Sequence, residues 1–77
     1  MEQELEKIIA DFESVTGYRL EIRDGRPYYG DSLYLAGCKG LTSLPKNLTV
    51  GGFLNLRDTG ITSLPKNLTV SGYLTLS

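Results

Sequence analysis

Leucines alternate with polar or aromatic residues at three places in the chain, around Leu33, Leu54 and Leu74. In each place a second leucine follows two positions later, so that both leucines lie on the same side of an extended backbone. Alternation with a period of two predicts a short β-strand with one face on the core. We therefore expect three equivalent strands, which together would form a small parallel sheet.

The segment between two of these strands is repeated almost without change. Residues 41–50 read LTSLPKNLTV and residues 61–70 read ITSLPKNLTV, twenty positions later, and residues 32–40 form a degenerate earlier copy. A unit of about twenty residues is too small to bury its own core, so neighbouring units must stack. Pro45 and Pro65 disfavour a helix in this segment. Its apolar pairs predict a second strand-like side: Leu48 with Val50, and Leu68 with Val70.

The first thirty residues have a different pattern. Apolar residues recur at helical spacing over residues 3–16, and Gly17 is a plausible helix stop. An alternating strand over residues 18–23 would turn Tyr18, Leu20 and Ile22 inward, and Asp24-Gly25 predicts a tight hairpin turn into a partner strand over residues 26–29. The apolar helix residues are Leu5, Ile8, Ile9, Phe12 and Val15.

These patterns predict an α+β protein of one structural domain. Residues 1–31 would form a helix and hairpin cap, and residues 32–77 would form about two and a half stacked repeats. A cap of this kind hides the exposed core of the first repeat, as terminal repeats require.

The repeat resembles the short bacterial type of leucine-rich repeat. The matching residues are Leu33-x-Leu35-x-x-Cys38-x-x-Leu41 and Leu54-x-Leu56-x-x-Thr59-x-Ile61, the second of which leads into Ser-Leu-Pro. The resemblance implies a short leucine-rich-repeat-like parallel β-solenoid, with Cys38 at the position where the family hydrogen-bonds the backbone of neighbouring turns. A different two-sided β-solenoid is the alternative fold. The family is defined by its scaffold, so the resemblance indicates little about function.

Composition excludes several classes of function. The chain has 77 residues, 40% of them hydrophobic, and a formal net charge of −1. This is the composition of a folded domain, without the positive charge that attracts nucleic acid or anionic membranes. The sequence shows no membrane-spanning stretch and no basic, apolar signal sequence at its start, so we expect a cytoplasmic protein.

The residues that catalysis and metal binding require are scarce. Histidine is absent, which removes the commonest general base and metal ligand. Cys38 therefore has no histidine to activate it, and we expect it to be structural. No ligand cluster or phosphate-binding loop is recognisable, so we expect no enzyme, no cofactor and no metal. Asn-Leu-Thr at residues 47–49 and 67–69 fits the glycosylation pattern, but copying of one repeat explains both occurrences.

The parity of the leucine strands predicts a binding face. If Leu54 and Leu56 point inward, their neighbours point outward and align between repeats. Exposed aromatic residues near an arginine are typical of binding hot spots. Alternatively, Phe53 and Tyr73 pack on each other or fold into the core. The candidate protein-binding residues are Tyr34, Phe53, Asn55, Arg57, Tyr73 and Thr75.

Three hypotheses about function follow. The first is a non-enzymatic protein–protein interaction module that binds a protein partner through this strand face. The second is a structural element that self-associates, as a homodimer or larger homo-oligomer, through an uncapped edge strand at Leu74, Thr75 and Leu76. The third, a small phage-type inhibitor of a host protein, has no direct support in the sequence.

Overall fold

A computed structural model describes residues 2–76, apart from the side chain of Glu2. Over this range the protein is a small α+β fold with one helix, a mixed sheet and a parallel sheet. The helix is α1 (Glu2–Thr16), which confirms the predicted helix. The strands are β1 (Glu21–Arg23), β2 (Arg26–Tyr29), β3 (Leu33–Tyr34), β4 (Thr49–Val50), β5 (Leu54–Asn55), β6 (Thr69–Val70) and β7 (Leu74–Thr75).

The helix ends where glycine permits a left-handed residue. Gly17 has a φ of 81°, and its N–H donates to the Glu13 carbonyl oxygen at 2.8 Å. The Thr16 hydroxyl donates to the Phe12 carbonyl oxygen and accepts from the Tyr18 N–H. These bonds pair groups at the helix end that would otherwise lack partners.

The hairpin forms at the predicted turn but is shorter than expected. Asp24 and Gly25 both have positive φ, at 52° and 73°, as a two-residue hairpin turn requires. Strand β1 begins at Glu21, so the residues between the helix and Glu21 are irregular. The prediction that Ile22 points inward is wrong, because its side chain is exposed. β1 pairs only with β2, at the edge of its sheet, and Ile22 borders a cavity that it shares with Ile9 and Ala10 of α1, so the helix covers it incompletely.

The four-stranded sheet has the order β1-β2-β4-β6. β1 and β2 are antiparallel, whereas β2, β4 and β6 are parallel. The hairpin is therefore part of the same sheet as the repeats, because β2 pairs with β4. Each repeated block adds one strand to this sheet, and Val50 lies opposite Val70. This confirms the second strand of each repeat.

The three-stranded sheet has the order β3-β5-β7 and is entirely parallel, as predicted. Leu33 lies opposite Leu54, and Leu54 lies opposite Leu74. Gly51 and Gly52 lie between β4 and β5, where the backbones of successive units approach closely: a Cβ on Gly51 would lie 2.8 Å from the Gly30 oxygen. Close approach, rather than an unusual φ, requires glycine here.

The core lies between the two sheets and under the helix. Ile9 and Phe12 of the helix are buried in it and Leu5 packs against it, whereas Ile8 and Val15 are exposed, so part of the predicted helix face does not reach the core. Cys38 and Ile61 are among the partly buried residues packed against it. The buried cluster comprises Ile9, Phe12, Leu20, Leu33, Leu35, Leu41, Leu44, Leu48, Val50, Leu54 and Leu56.

Candidate interaction surface

The outer face of the three-stranded sheet is defined by residues whose neighbours in sequence are buried leucines. Leu33, Leu35, Leu54 and Leu56 are buried almost completely. Because successive side chains of a strand point to opposite faces, the residues between the leucines must point outward. At β3 and β5 the outward positions are next to the most completely buried part of the molecule, so their backbone is held in place there.

One column of outward residues crosses all three strands. Tyr34 lies opposite Asn55, and Asn55 lies opposite Thr75, which confirms the predicted alignment. The Tyr34 N–H donates to the Tyr18 hydroxyl oxygen at 3.4 Å, which joins the sheet to the segment that follows the helix. The Asn55 Oδ1 accepts from the Arg57 N–H at 3.1 Å. This bond restrains the Asn55 side chain.

A second column contains the two aromatic residues that precede the leucines. The rings of Phe53 and Tyr73 stack with centroids 5.4 Å apart and an interplanar angle of 24°. Both nevertheless remain open to solvent, so the alternative that they fold into the core is wrong. A Cβ on Gly72 would collide with the Phe53 ring, and glycine at this position makes room for the stack.

Three aromatic side chains are thus exposed on one small sheet. Tyr34 is 59% exposed, Phe53 is 44% exposed and Tyr73 is 76% exposed. Arg57, which is also exposed, follows the end of β5. The aromatic rings of this surface can contact apolar side chains of a ligand, and its hydroxyl, amide and guanidinium groups can donate hydrogen bonds to the ligand.

The predicted edge residues lie on the last described strand. Leu74 and Leu76 are exposed and Thr75 is half-buried. Leu74 is equivalent to Leu54 and Leu76 to Leu56, both of which are buried one repeat earlier. The difference arises because no strand pairs with the outer side of β7 among residues 2–76.

Two polar features of the repeat have local partners. The Thr59 hydroxyl donates to the Leu56 carbonyl oxygen at 2.8 Å, so it stabilises its own turn. The Asn67 Nδ2 donates to the Asn47 Oδ1 at 3.0 Å, and both asparagines have positive φ. The Asn-Leu-Thr pattern of these two asparagines by itself indicates only a glycosylation acceptor. Their equal position in two stacked repeats was the signal that could have predicted the pair.

The structure also contains a groove that the sequence patterns do not predict. It lies between α1 and residues 40–46 and has a volume of about 510 Å³. Ile8 and Val15 of the helix flank it, and Asp11 and Lys46 are among its polar lining. The incomplete packing of the helix face produces this groove.

No protein-family model matches the chain, and neither the curated proteins nor the solved structures contain a significant match. Within residues 2–76, no three His, Cys, Asp or Glu side chains are grouped as metal ligands would be. No helix of the same range is long and apolar enough to cross a membrane.

Proposed function

We propose that this chain is a protein-interaction module that binds a protein partner through the outer face of the three-stranded sheet. In this proposal the fold is a short leucine-rich-repeat-like parallel β-solenoid with an N-terminal cap. The twenty-residue sequence period and the two strands contributed by each repeat support this description of the fold.

The observation that supports the function best is the exposure of Tyr34, Phe53 and Tyr73 on one sheet whose opposite face is buried at β3 and β5. An exposed aromatic ring on a rigid backbone loses little conformational entropy when a partner covers it. Tyrosine also offers a hydroxyl group that can hydrogen-bond at the rim of an interface. A partner with an apolar patch bordered by hydrogen-bond acceptors would fit this surface.

The first step of a test is to capture the partner from cells that express the chain. A photo-reactive phenylalanine analogue at position 73 would cross-link whatever covers the outer face, and the same analogue at position 22 serves as a control. Ile22 is an exposed apolar residue on β1, in the other sheet. A protein cross-linked from position 73 but not from position 22 is the candidate partner.

The second step is to measure the affinity of the purified partner for variants of the chain by calorimetry. We expect Tyr34→Ala and Tyr73→Ala each to weaken binding at least tenfold, because truncation of an aromatic hot spot costs about 2 kcal/mol or more. Ile22→Ala should bind like the parent chain, and all three variants should keep the parent circular dichroism spectrum. Equal affinity for all of them would contradict the proposal.

A further inference from the structure

One end of the repeat stack, which we call the end face, presents apolar side chains and unpaired strand edges. It is formed by residues 61–64, β6, β7 and Leu76, and within residues 2–76 no strand pairs with the outer side of β6 or β7. Leu64 is 42% exposed, Leu74 is 37% exposed and Leu76 is 54% exposed, whereas their equivalents one repeat earlier are all buried. The earlier residues are buried because the next repeat covers them, so the end face is a surface shaped to receive a further layer of strands.

The hydrogen-bond pattern of the repeats identifies which groups the end face offers. The Leu54 and Leu56 N–H groups donate to the Tyr73 and Thr75 carbonyl oxygens of the next strand. In the same register, the N–H and C=O groups of Leu74 and Leu76 point away from β5. On the other side of the stack, the Thr69 and Ser71 N–H groups donate to the Leu48 and Val50 carbonyl oxygens. The Leu68 and Val70 carbonyl oxygens therefore point outward as well.

From these observations we infer that the end face binds the end face of a second copy of this chain, to form a twofold-symmetric dimer. The twofold axis lies in the interface and passes through the middle of β7 and the middle of β6. Rotation about this axis places β7 antiparallel to β7 of the second copy and β6 antiparallel to β6 of the second copy. Both exposed edges are then paired at once. The inference concerns a different surface from the proposed function, and either can fail alone.

The register of the pairing follows from the groups that point outward. In an antiparallel pair, two opposite residues exchange both N–H···O bonds. This places Leu74 opposite Leu76 of the second copy and puts Thr75 on the twofold axis, opposite its own mate. The leucines of the two copies extend one core, and the two Thr75 side chains form a cross-strand pair of a favourable type.

The other ways of covering the end face fit less well. Head-to-tail stacking would need a repeat edge at the opposite end, but there the antiparallel hairpin of β1 and β2 covers the edge of β4, and the Tyr18 hydroxyl accepts the Tyr34 N–H. The end face contains a cavity of about 220 Å³, and every residue that lines it is uncharged. Two copies that pair through this face therefore bring no like charges together at the cavity. A C2 interface requires such self-complementarity.

The size of the molecule limits how strong this dimer can be. The molecule extends over 32 × 24 × 20 Å, so any one face of it is small. A standard interface buries about 800 Å² on each partner. The end face is only one face of a molecule of this size, so we expect a weak dimer that dissociates on dilution.

Site-directed disulfide formation tests both the dimer and its register. Thr75→Cys, in a Cys38→Ala background, would place two thiols at a non-hydrogen-bonded antiparallel pair, where Cα atoms lie about 4.5 Å apart and a disulfide can form. Asn55→Cys is the matched control. It lies on the same column one strand further in, so its mate would be about 14 Å away, at a spacing of about 4.8 Å between strands.

We expect oxidised glutathione to convert Thr75→Cys to a covalent dimer at least tenfold faster than Asn55→Cys. In sedimentation equilibrium, the parent chain should shift from 8.5 kDa towards twice that mass as its concentration rises. Leu76→Lys should remain monomeric, whereas Val15→Lys, a control on the helix, should behave like the parent. A mass that stays at 8.5 kDa, a mass that grows beyond two copies, or equal cross-linking of the two cysteine variants would overturn the inference.

Discussion

Replacing the same leucine in successive repeats should have very different effects on stability. Leu54 and Leu74 are opposite each other in register, but Leu54 is fully buried and Leu74 is 37% exposed. Leu54→Ala removes three carbon atoms from a closed core, and Leu74→Ala removes the same atoms from a partly open one. The pair therefore measures how much one additional repeat stabilises the repeat before it.

The magnitudes follow from the burial of each side chain. Full burial of three carbons is worth about 2.4 kcal/mol, and the cavity left in a closed core raises the cost of Leu54→Ala to about 3–5 kcal/mol. Leu74 has roughly two thirds of that burial and leaves no closed cavity, so Leu74→Ala should cost about 1.5 kcal/mol. A domain of this length has a total free energy of unfolding of about 4–12 kcal/mol. The first variant should therefore be close to unfolding.

The assay is urea denaturation followed by circular dichroism at low micromolar concentration, where a weak dimer does not contribute. With a slope of about 1 kcal/mol/M for a small protein, the midpoints of the two variants should differ by about 2 M. Midpoints equal within about 0.3 M would refute the reasoning, because Leu54 and Leu74 would then be equally buried in solution.

Three further substitutions test local features of the fold by thermal or urea unfolding. Gly17→Ala should destabilise the protein by about 1 kcal/mol, because φ is positive at this position. Gly40→Ala is the control: φ is not positive there, so the free energy of unfolding should change by less than about 0.5 kcal/mol. Equal effects of the two substitutions would contradict the assignment of Gly17 as the helix stop. Asn47→Ala should cost about 1 kcal/mol more than Asn47→Gly, since glycine keeps the left-handed backbone; the reverse order would contradict this. Arg19→Ala breaks an exposed ion pair with Glu13 and should lower the free energy of unfolding by less than about 1 kcal/mol. This difference from the parent chain should vanish at about 1 M salt, which screens exposed charges. A larger loss of stability that does not depend on salt would contradict the prediction.

Much of the fold could be predicted because the sequence repeats. Near-identity of residues 41–50 and 61–70 implies equal structure in each unit, and the alternation around Leu54 then determines which residues face outward. The column of Tyr34, Asn55 and Thr75 follows from that parity alone. Gly17 and Asp24-Gly25 were correctly interpreted, since their backbone conformations depend on local sterics.

The errors occur where tertiary packing decides the outcome. Helical spacing placed Ile8 and Val15 with Ile9 and Phe12, but the cap contacts too small a surface to cover the full helix face. Alternation likewise places Ile22 inward, although the helix covers that strand incompletely and leaves the side chain exposed. The stacking of Phe53 on Tyr73 depends on the room left by Gly72, which sequence reasoning left open.

The most direct measurement for the central claim is hydrogen–deuterium exchange of the chain with and without its cross-linked partner candidate. We expect the partner to slow amide exchange in β3, in residues 53–57 and in residues 73–76, and to leave β1 and α1 unchanged. Protection confined to residues 8–15 and 40–46, which line the groove beside the helix, would contradict the account and would show that the partner binds there instead.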